Sequence, residues 1–250
     1  MTPHLSTLLG ACVGSFLNVC MSRWKNGKQV LYPPSFCPKC HKTIRWYDNI
    51  PILSFILLGA KCRSCHKPIS WQYPMIELIS CVLFLTCALC FRNDPVKLFA
   101  SFTFVSFMIL FFMSDFKWKV LPHPFTNLFI LIGLALSWRN FFSTNFNSFS
   151  VVCGFMGIGS LMYAFFWFYP RGLGGGDVKM LAGLAVWMGF SNSFFVLLFA
   201  SVVGFLVVIV LILMKKISRK STVPFGTFLA VGATAIWFFP GLINQIGLVK

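Results

Sequence analysis

Long apolar runs broken by short polar segments dominate the chain. The first run covers residues 4–21 and ends at Ser22-Arg23, and a polar, basic stretch follows over residues 22–72. Further runs cover residues 73–91, 96–114, 125–138, 149–169, 178–190, 194–214 and 224–243. Most of these approach the ~20 residues a helix needs to cross hydrocarbon. Asp115 closes the third run, Arg139 to Asn147 separates the fourth and fifth, Ser191-Asn192-Ser193 makes a weak turn before the seventh, and Lys215-Lys216-Ile217-Ser218-Arg219-Lys220 precedes the last. The pattern predicts an all-α polytopic membrane protein of about eight transmembrane helices, with one extended loop domain between the first two. It divides the chain into a first helix (1–21), a polar loop (22–72) and a membrane domain of about seven helices (73–250).

Composition supports this pattern: 58% of the residues are hydrophobic, 10% are charged, and 31 are Phe. The net charge of +16 would suit nucleic acid, but in a membrane chain surplus Lys and Arg mark cytosolic loops. With the N-terminus outside, 17 of the 21 basic residues fall on the cytosolic side. Nine of these lie in the stretch from Arg23 to Lys67, followed by Lys117, Lys119, Arg171, Lys179, Lys215, Lys216, Arg219 and Lys220. No basic segment precedes the first run and no cleavage site is evident after it, so it is expected to be retained as a span.

That orientation makes the five acids informative. Asp48 sits in the cytosolic loop and Asp94 in a short external turn, where both are expected to be solvated or structural. Glu77 lies one turn inside the second span. Asp115 ends the third span and Asp177 opens the sixth, so two aspartates distant in sequence share a face and roughly a depth. Asp177 follows glycines in Arg171-Gly172-Leu173-Gly174-Gly175-Gly176-Asp177-Val178-Lys179. A carboxylate at a bilayer edge is costly and usually faces protein or water, and glycines beside it let another backbone come close. Two carboxylates within a few ångströms cannot both ionise easily, so one can take a proton from water while the other polarises a peptide carbonyl. The alternatives are a solvated Asp in a glycine-rich turn, or two unrelated acids paired with Lys117, Lys119 and Lys179.

Six of the ten cysteines lie in apolar runs as small hydrophobes. The other four, Cys37-Pro38-Lys39-Cys40 and Cys62-Arg63-Ser64-Cys65, give C-x2-C-x21-C-x2-C in the polar loop. Two such knuckles complete a closed tetrahedral site for zinc, which would be structural and would supply folding energy to a loop too short for a large core. A redox dithiol pair is the rival, disfavoured by a reducing cytosol and by the doubled motif. His41 and His66 follow the knuckles and are expected beside the metal site rather than on it.

Taken together, several stretches resemble the type IV prepilin peptidase family, the bifunctional leader peptidase/N-methyltransferases. These are Gly14-Ser15-Phe16-Leu17-Asn18-Val19 with Arg23, both cysteine pairs, Trp46-Tyr47-Asp48-Asn49-Ile50-Pro51-Ile52-Leu53-Ser54, Pro68-Ile69-Ser70, Tyr73-Pro74-Met75-Ile76-Glu77, Asp115 with Leu121-Pro122, and Gly174-Gly175-Gly176-Asp177-Val178-Lys179 as a GxGD element. The resemblance implies a GxGD aspartic protease of the bacterial inner membrane. It would cleave the short basic leader of prepilins or pseudopilins on the cytosolic side, then N-methylate the new terminus with S-adenosylmethionine as donor. On it, Asp115 and Asp177 are the catalytic pair, Gly174 and Gly176 are the glycines of the element with Lys179 beside them, and Cys37, Cys40, Cys62 and Cys65 hold zinc. Glu77 falls in the region associated with methylation, with pairing to a nearby Arg or Lys as its alternative. The implied partners are the prepilin substrate and membrane lipid, with no nucleic acid. The chain departs from the family pattern at His123, at Gln72 and at Trp24, the last two nearer the methylation region. A peptidase without methyltransferase activity, and a membrane assembly factor or transporter whose zinc loop docks a partner, are the alternatives.

Overall fold

The computed structural model describes residues 2–25, 29, 34–141, 156–157, 159–160, 164, 167, 174–216 and 223–239. Over these the regular structure is helical, and the polar loop adds two isolated antiparallel bridges, Phe36–Thr43 and Lys61–Pro68. The elements are α1 (Pro3–Lys25), a 3-10 turn (Trp46–Asn49), α2 (Leu53–Leu57), α3 (Gln72–Cys90), α4 (Pro95–Trp118), α5 (His123–Phe141), α6 (Gly175–Leu213) and α7 (Phe225–Phe238). By length and composition α1, α3, α4 and α6 are able to cross a bilayer, and α5 and α7 are shorter apolar helices. The expected fifth span, residues 149–169, lies almost wholly outside the described residues. The chain forms two compact units, Met1–Leu110 and Phe111–Lys250.

In the first unit α1 and α3 pack antiparallel, because small residues recur every fourth position along α1. A Cβ on Gly10 would lie 2.7 Å from the Ser80 carbonyl oxygen, and one on Gly14 would lie 2.7 Å from Ser80 Oγ and 2.8 Å from Glu77 Cα. Only glycine allows this backbone approach, the usual device where lipid offers helices no hydrophobic drive to associate. One turn further on, the Asn18 side chain donates to the Tyr73 carbonyl at 3.4 Å. The turn before α4 explains Asp94, whose Oδ1 accepts the Val96 and Lys97 amides at 3.0 Å, with Pro95 as first helical residue. That is an N-cap followed by the residue that needs no N–H partner.

The polar loop is built from two copies of one turn. His41 N donates to Cys37 O at 2.9 Å and Cys37 N to Lys42 O at 3.0 Å; His66 N donates to Cys62 O at 2.9 Å and Cys62 N to Lys67 O at 2.9 Å. Both histidines adopt positive φ, 58° and 54°, a conformation in which His is enriched among non-glycine residues. His41 and His66 thus turn each knuckle, with exposed side chains. Between the copies, Asp48 accepts Arg63 at 2.7 and 2.8 Å, and this guanidinium holds the Asp48 carboxyl below its usual range. Asp48 is structural.

In the second unit α5 packs on the start of α6. Trp187 Nε1 donates to Phe129 O at 2.9 Å, and the two rings stack at 5.2 Å. Helix α6 is interrupted at Gly189, where φ is 80° and ψ 173°. The break reverses the chain, as contacts with α7 show. Asp177 Oδ1 lies 3.1 Å from a Cβ on Gly226, while the Phe228 ring, two residues along α7, lies 3.4 Å from a Cβ on Gly204. Residues 177 and 204 would be about 40 Å apart on one continuous helix. Residues 175–188 and 190–213 therefore run as an antiparallel pair. The reversal falls at Gly189 rather than at Ser191-Asn192-Ser193, whose Asn192 and Ser193 side chains bond back to the Met188 and Gly189 carbonyls at 2.9 and 2.8 Å.

Candidate active site and metal site

Three chain segments of the second unit converge on two carboxylates. Helix α4 runs past the expected end of its span, so Asp115 lies in its last turn. The helix is closed by Lys119 at φ 54°, whose amide donates to Asp115 O at 2.8 Å, and by Ser114 Oγ donating to Val120 O at 2.6 Å. This left-handed closure ends the helix and leaves the Asp115 side chain 5% exposed.

Asp177 is the third residue of α6, after Gly174 as N-cap in extended conformation, φ −73° and ψ 136°. Its amide donates to Gly174 O at 3.0 Å, and its carboxyl accepts the Gly174 amide in return. The Asp177 side chain, at the N3 position, thus supplies the half of a capping box that reaches back to the N-cap amide, the other half being absent because the N-cap is glycine. The glycines serve the chain's own packing. A Cβ on Gly174 would stand 3.1 Å from Asp177 Oδ2, and one on Gly176 only 2.8 Å from the Cβ of buried Leu121.

The first turn of α7 joins the two acids. Thr227 N donates to Asp115 Oδ2 at 2.9 Å, with the Gly226 amide also directed at that carboxyl. A Cβ on Gly226 would lie 3.0 Å from Asp115 Oδ2 and 3.1 Å from Asp177 Oδ1. Two oxygens this close to one point are no more than about 6 Å apart, the range in which carboxylates sense each other's charge. The structure thus brings together Asp115, Asp177, Gly174 and Gly176. Lys179 is exposed on α6, and Lys117 Nζ sits over the Trp118 ring at 5.4 Å.

Gly226 and Thr227 were not among the sequence candidates. A signal was present: glycine in the first turn of an otherwise apolar helix, just after Pro224 and a basic loop, marks a close backbone approach on the face where both aspartates were expected.

In the first unit Cys37, Cys40, Cys62 and Cys65 bring their sulfurs within 4.8 Å of one another, with Cys37 and Cys65 Sγ 3.9 Å apart. Tetrahedral zinc with ~2.3 Å bonds to sulfur requires neighbouring sulfurs about 3.8 Å apart, so the cluster fits such an ion. The backbone amides of Cys65 and Ser64 bring the Cys62 thiol down to about 6. At Cys65 the Lys67 amide acts in the same direction, but lost hydration and the neighbouring sulfurs outweigh it and raise the thiol to about 11. A divalent cation among the four sulfurs would relieve the crowding that raises the Cys65 thiol.

Glu77 lies on α3 and is 6% exposed. It accepts the Ile52 amide at 2.7 Å and hydrogen-bonds Ser15.

A helical, multi-pass membrane protein carrying paired carboxylates and a four-cysteine loop is the class these features define. Residues 8–91 match the bacterial Peptidase A24 N-terminal domain and residues 102–209 the Type IV leader peptidase family. A Myxococcus xanthus prepilin leader peptidase/N-methyltransferase is 34% identical over 82% of this chain and 62% of its own length. A Burkholderia pseudomallei protein of the same description is 30% identical over 93% of this chain and 84% of its own. An Escherichia coli type 4 prepilin-like proteins leader peptide-processing enzyme is 30% identical over 96% of this chain and 95% of its own. The chain belongs to the type IV prepilin leader peptidase family. No solved structure matches it.

Proposed function

We infer that the chain removes the basic leader from type IV prepilins or pseudopilins at the cytosolic face of the bacterial inner membrane, with Asp115 and Asp177 as the catalytic pair. The observation that carries this is the position at Gly226 that both carboxylates approach within 3.0–3.1 Å. Asp115, which accepts main-chain amides from α7, is arranged to enter as the carboxylate, and Asp177 as the acid. One water proton passes to Asp115 as the oxygen attacks the scissile carbonyl carbon, while Asp177 gives its proton to the carbonyl oxygen. On collapse Asp115 protonates the leaving nitrogen, Asp177 recovers a proton from the hydroxyl, and the C–N bond breaks. The pair returns to its starting state and no covalent enzyme intermediate forms. Gly174 and Gly176 set the approach of Asp177, and Lys179 anchors the start of α6 at the interface.

The membrane domain, residues 73–250, holds this site. The loop, residues 22–72, is organised by structural zinc on Cys37, Cys40, Cys62 and Cys65 and serves methylation of the amine that cleavage releases. S-adenosylmethionine would supply the methyl group. Positive-inside charge orients the chain with its N-terminus outside and the zinc loop in the cytosol.

Asp115→Asn and Asp177→Asn, each produced as a folded membrane protein, should lose prepilin cleavage by on the order of 10³-fold or more. Cleavage by either variant at the wild-type rate would overturn the assignment.

A further inference from the structure

A second buried polar cluster lies at the α1–α3 packing, among groups that the peptidase site does not use. Asn18 is 2% exposed. Its Nδ2 donates to the Gly14 carbonyl at 3.2 Å and the Tyr73 carbonyl at 3.4 Å, so the amide cannot be turned over without setting oxygen against oxygen. Its Oδ1 is buried and has no hydrogen-bond partner. A buried acceptor without a donor is rare enough in folded proteins to need an explanation.

One turn along the same packing, Glu77 is buried at 6% exposure. Its carboxyl takes the Ile52 amide at 2.7 Å and meets Ser15, on the same turn of α1 as Asn18. Among the described residues no cationic side chain forms an ion pair with it. Buried carboxylates are ordinarily matched by a positive charge.

The backbone around Glu77 is itself strained. Ile52 has φ 61° and ψ −51°, and Leu53 N donates to Pro51 O at 2.5 Å. That is a γ-turn of the rare, strained kind, here at a β-branched residue. Glu77 holds the amide at the centre of the turn. Strain of this sort persists where surrounding structure over-determines it, and it gathers at ligand sites.

We propose that Glu77 and Asn18 Oδ1 form a binding site for a primary ammonium group. Such a group has N–H donors for the orphaned amide oxygen and the charge that Glu77 lacks. Two molecules of the proposed methylation carry one: the new amino terminus of the cleaved substrate and the amino-acid end of the methyl donor. The inference rests on the methylation part of the function proposed above for these two sources, but the site itself is read from α1, α3 and the Ile52 turn.

The test measures binding to the full-length, zinc-loaded chain in detergent by calorimetry. The probes are S-adenosylmethionine, a peptide of mature sequence with a free N-terminal Phe, and the same peptide N-acetylated. One of the two ammonium probes should bind. Glu77→Gln, whose amide oxygen can still accept from Ile52, should weaken it at least tenfold, and Asn18→Ala should weaken the same probe. The acetylated peptide should respond to neither change, a selectivity that mere loosening of the fold would not produce. Binding of the free peptide identifies the substrate as the source, and binding of S-adenosylmethionine alone identifies the donor. If neither probe binds the wild type, or if Glu77→Gln binds its probe within twofold of wild type, the proposal fails. An N-methylated product with binding indifferent to Glu77 would remove the site and keep methylation. Binding sensitive to Glu77 without any methylated product would do the reverse.

Discussion

Replacing Gly226 by Ala tests the catalytic geometry at its tightest point. The added methyl carbon lands 3.0 Å from Asp115 Oδ2, 3.1 Å from Asp115 Cγ and 3.1 Å from Asp177 Oδ1. Carbon and oxygen rest comfortably at about 3.3–3.6 Å, so both carboxylates must retreat by a few tenths of an ångström. Asp115 cannot do so freely, because Oδ2 is held by Thr227 N at 2.9 Å. Folding is little affected, since Ala is favoured over Gly in a helix by up to ~1 kcal/mol, which offsets much of the crowding. Catalysis has no such offset. The methyl group occupies the space between the acids in which water and the peptide carbonyl must meet. A methyl group there would displace the reacting groups by ~1 Å, which costs about 10²-fold in kcat, or ~2.7 kcal/mol in the barrier. On the proposed function, in which the substrate's apolar helix supplies most of the binding, KM should change less than about threefold. The assay is cleavage of a prepilin-type substrate by the purified chain, giving kcat and KM, with thermal unfolding and zinc content measured in parallel. A kcat within twofold of wild type, with unchanged unfolding, would refute the role given to this glycine. If the Asp115 and Asp177 variants had already lost cleavage, the catalytic pair itself would stand.

Two further outcomes follow from the packing and the metal loop. Gly176→Ala places a methyl 2.8 Å from the Leu121 Cβ, which is buried and cannot swing aside; overpacking of this kind should destabilise by ~1–3 kcal/mol, and an unfolding midpoint at or above wild type would count against it. Elemental analysis should find about one zinc per chain, and Cys62→Ser or a strong chelator should release it and open the loop to proteolysis. Retention of the metal in a variant lacking all four loop cysteines would contradict the assignment.

Much of the candidate site was legible in the sequence because charge and hydrophobicity act over whole segments. Counting Lys and Arg was enough to place Asp115 and Asp177 on one face, since the positive-inside bias depends on loops rather than on packing. The cysteine spacing carried the metal site for a similar reason: each knuckle is local, and its hydrogen bonds span only a few residues. Gly226 was hidden because its importance depends on α4 and α6 both reaching α7, which no periodicity along the chain reports. The reversal in α6 was displaced by the turn-like look of Ser191-Asn192-Ser193. In an apolar helix Ser and Asn side chains can return their hydrogen bonds to the preceding turn, as Asn192 and Ser193 do, while the glycine bends the chain. The glycines before Asp177 were expected to make room for another backbone. Gly176 instead accommodates Leu121 from its own unit.

The break at Gly189 also bears on how the protein meets membranes of different thickness. Between Lys179 and Lys215 the chain has no charged residue, so the α6 hairpin is anchored at the headgroups only where it enters and leaves. Its tip, with Ser191-Asn192-Ser193 just past Gly189, is uncharged and has no ionic stake in the opposite leaflet. Hydrophobic mismatch would then be absorbed at the tip, by a tilt or a small excursion of the Gly189 turn. With Lys179 as the proposed anchor, Asp177, two residues away, should keep its depth whether the hydrocarbon layer swells or thins.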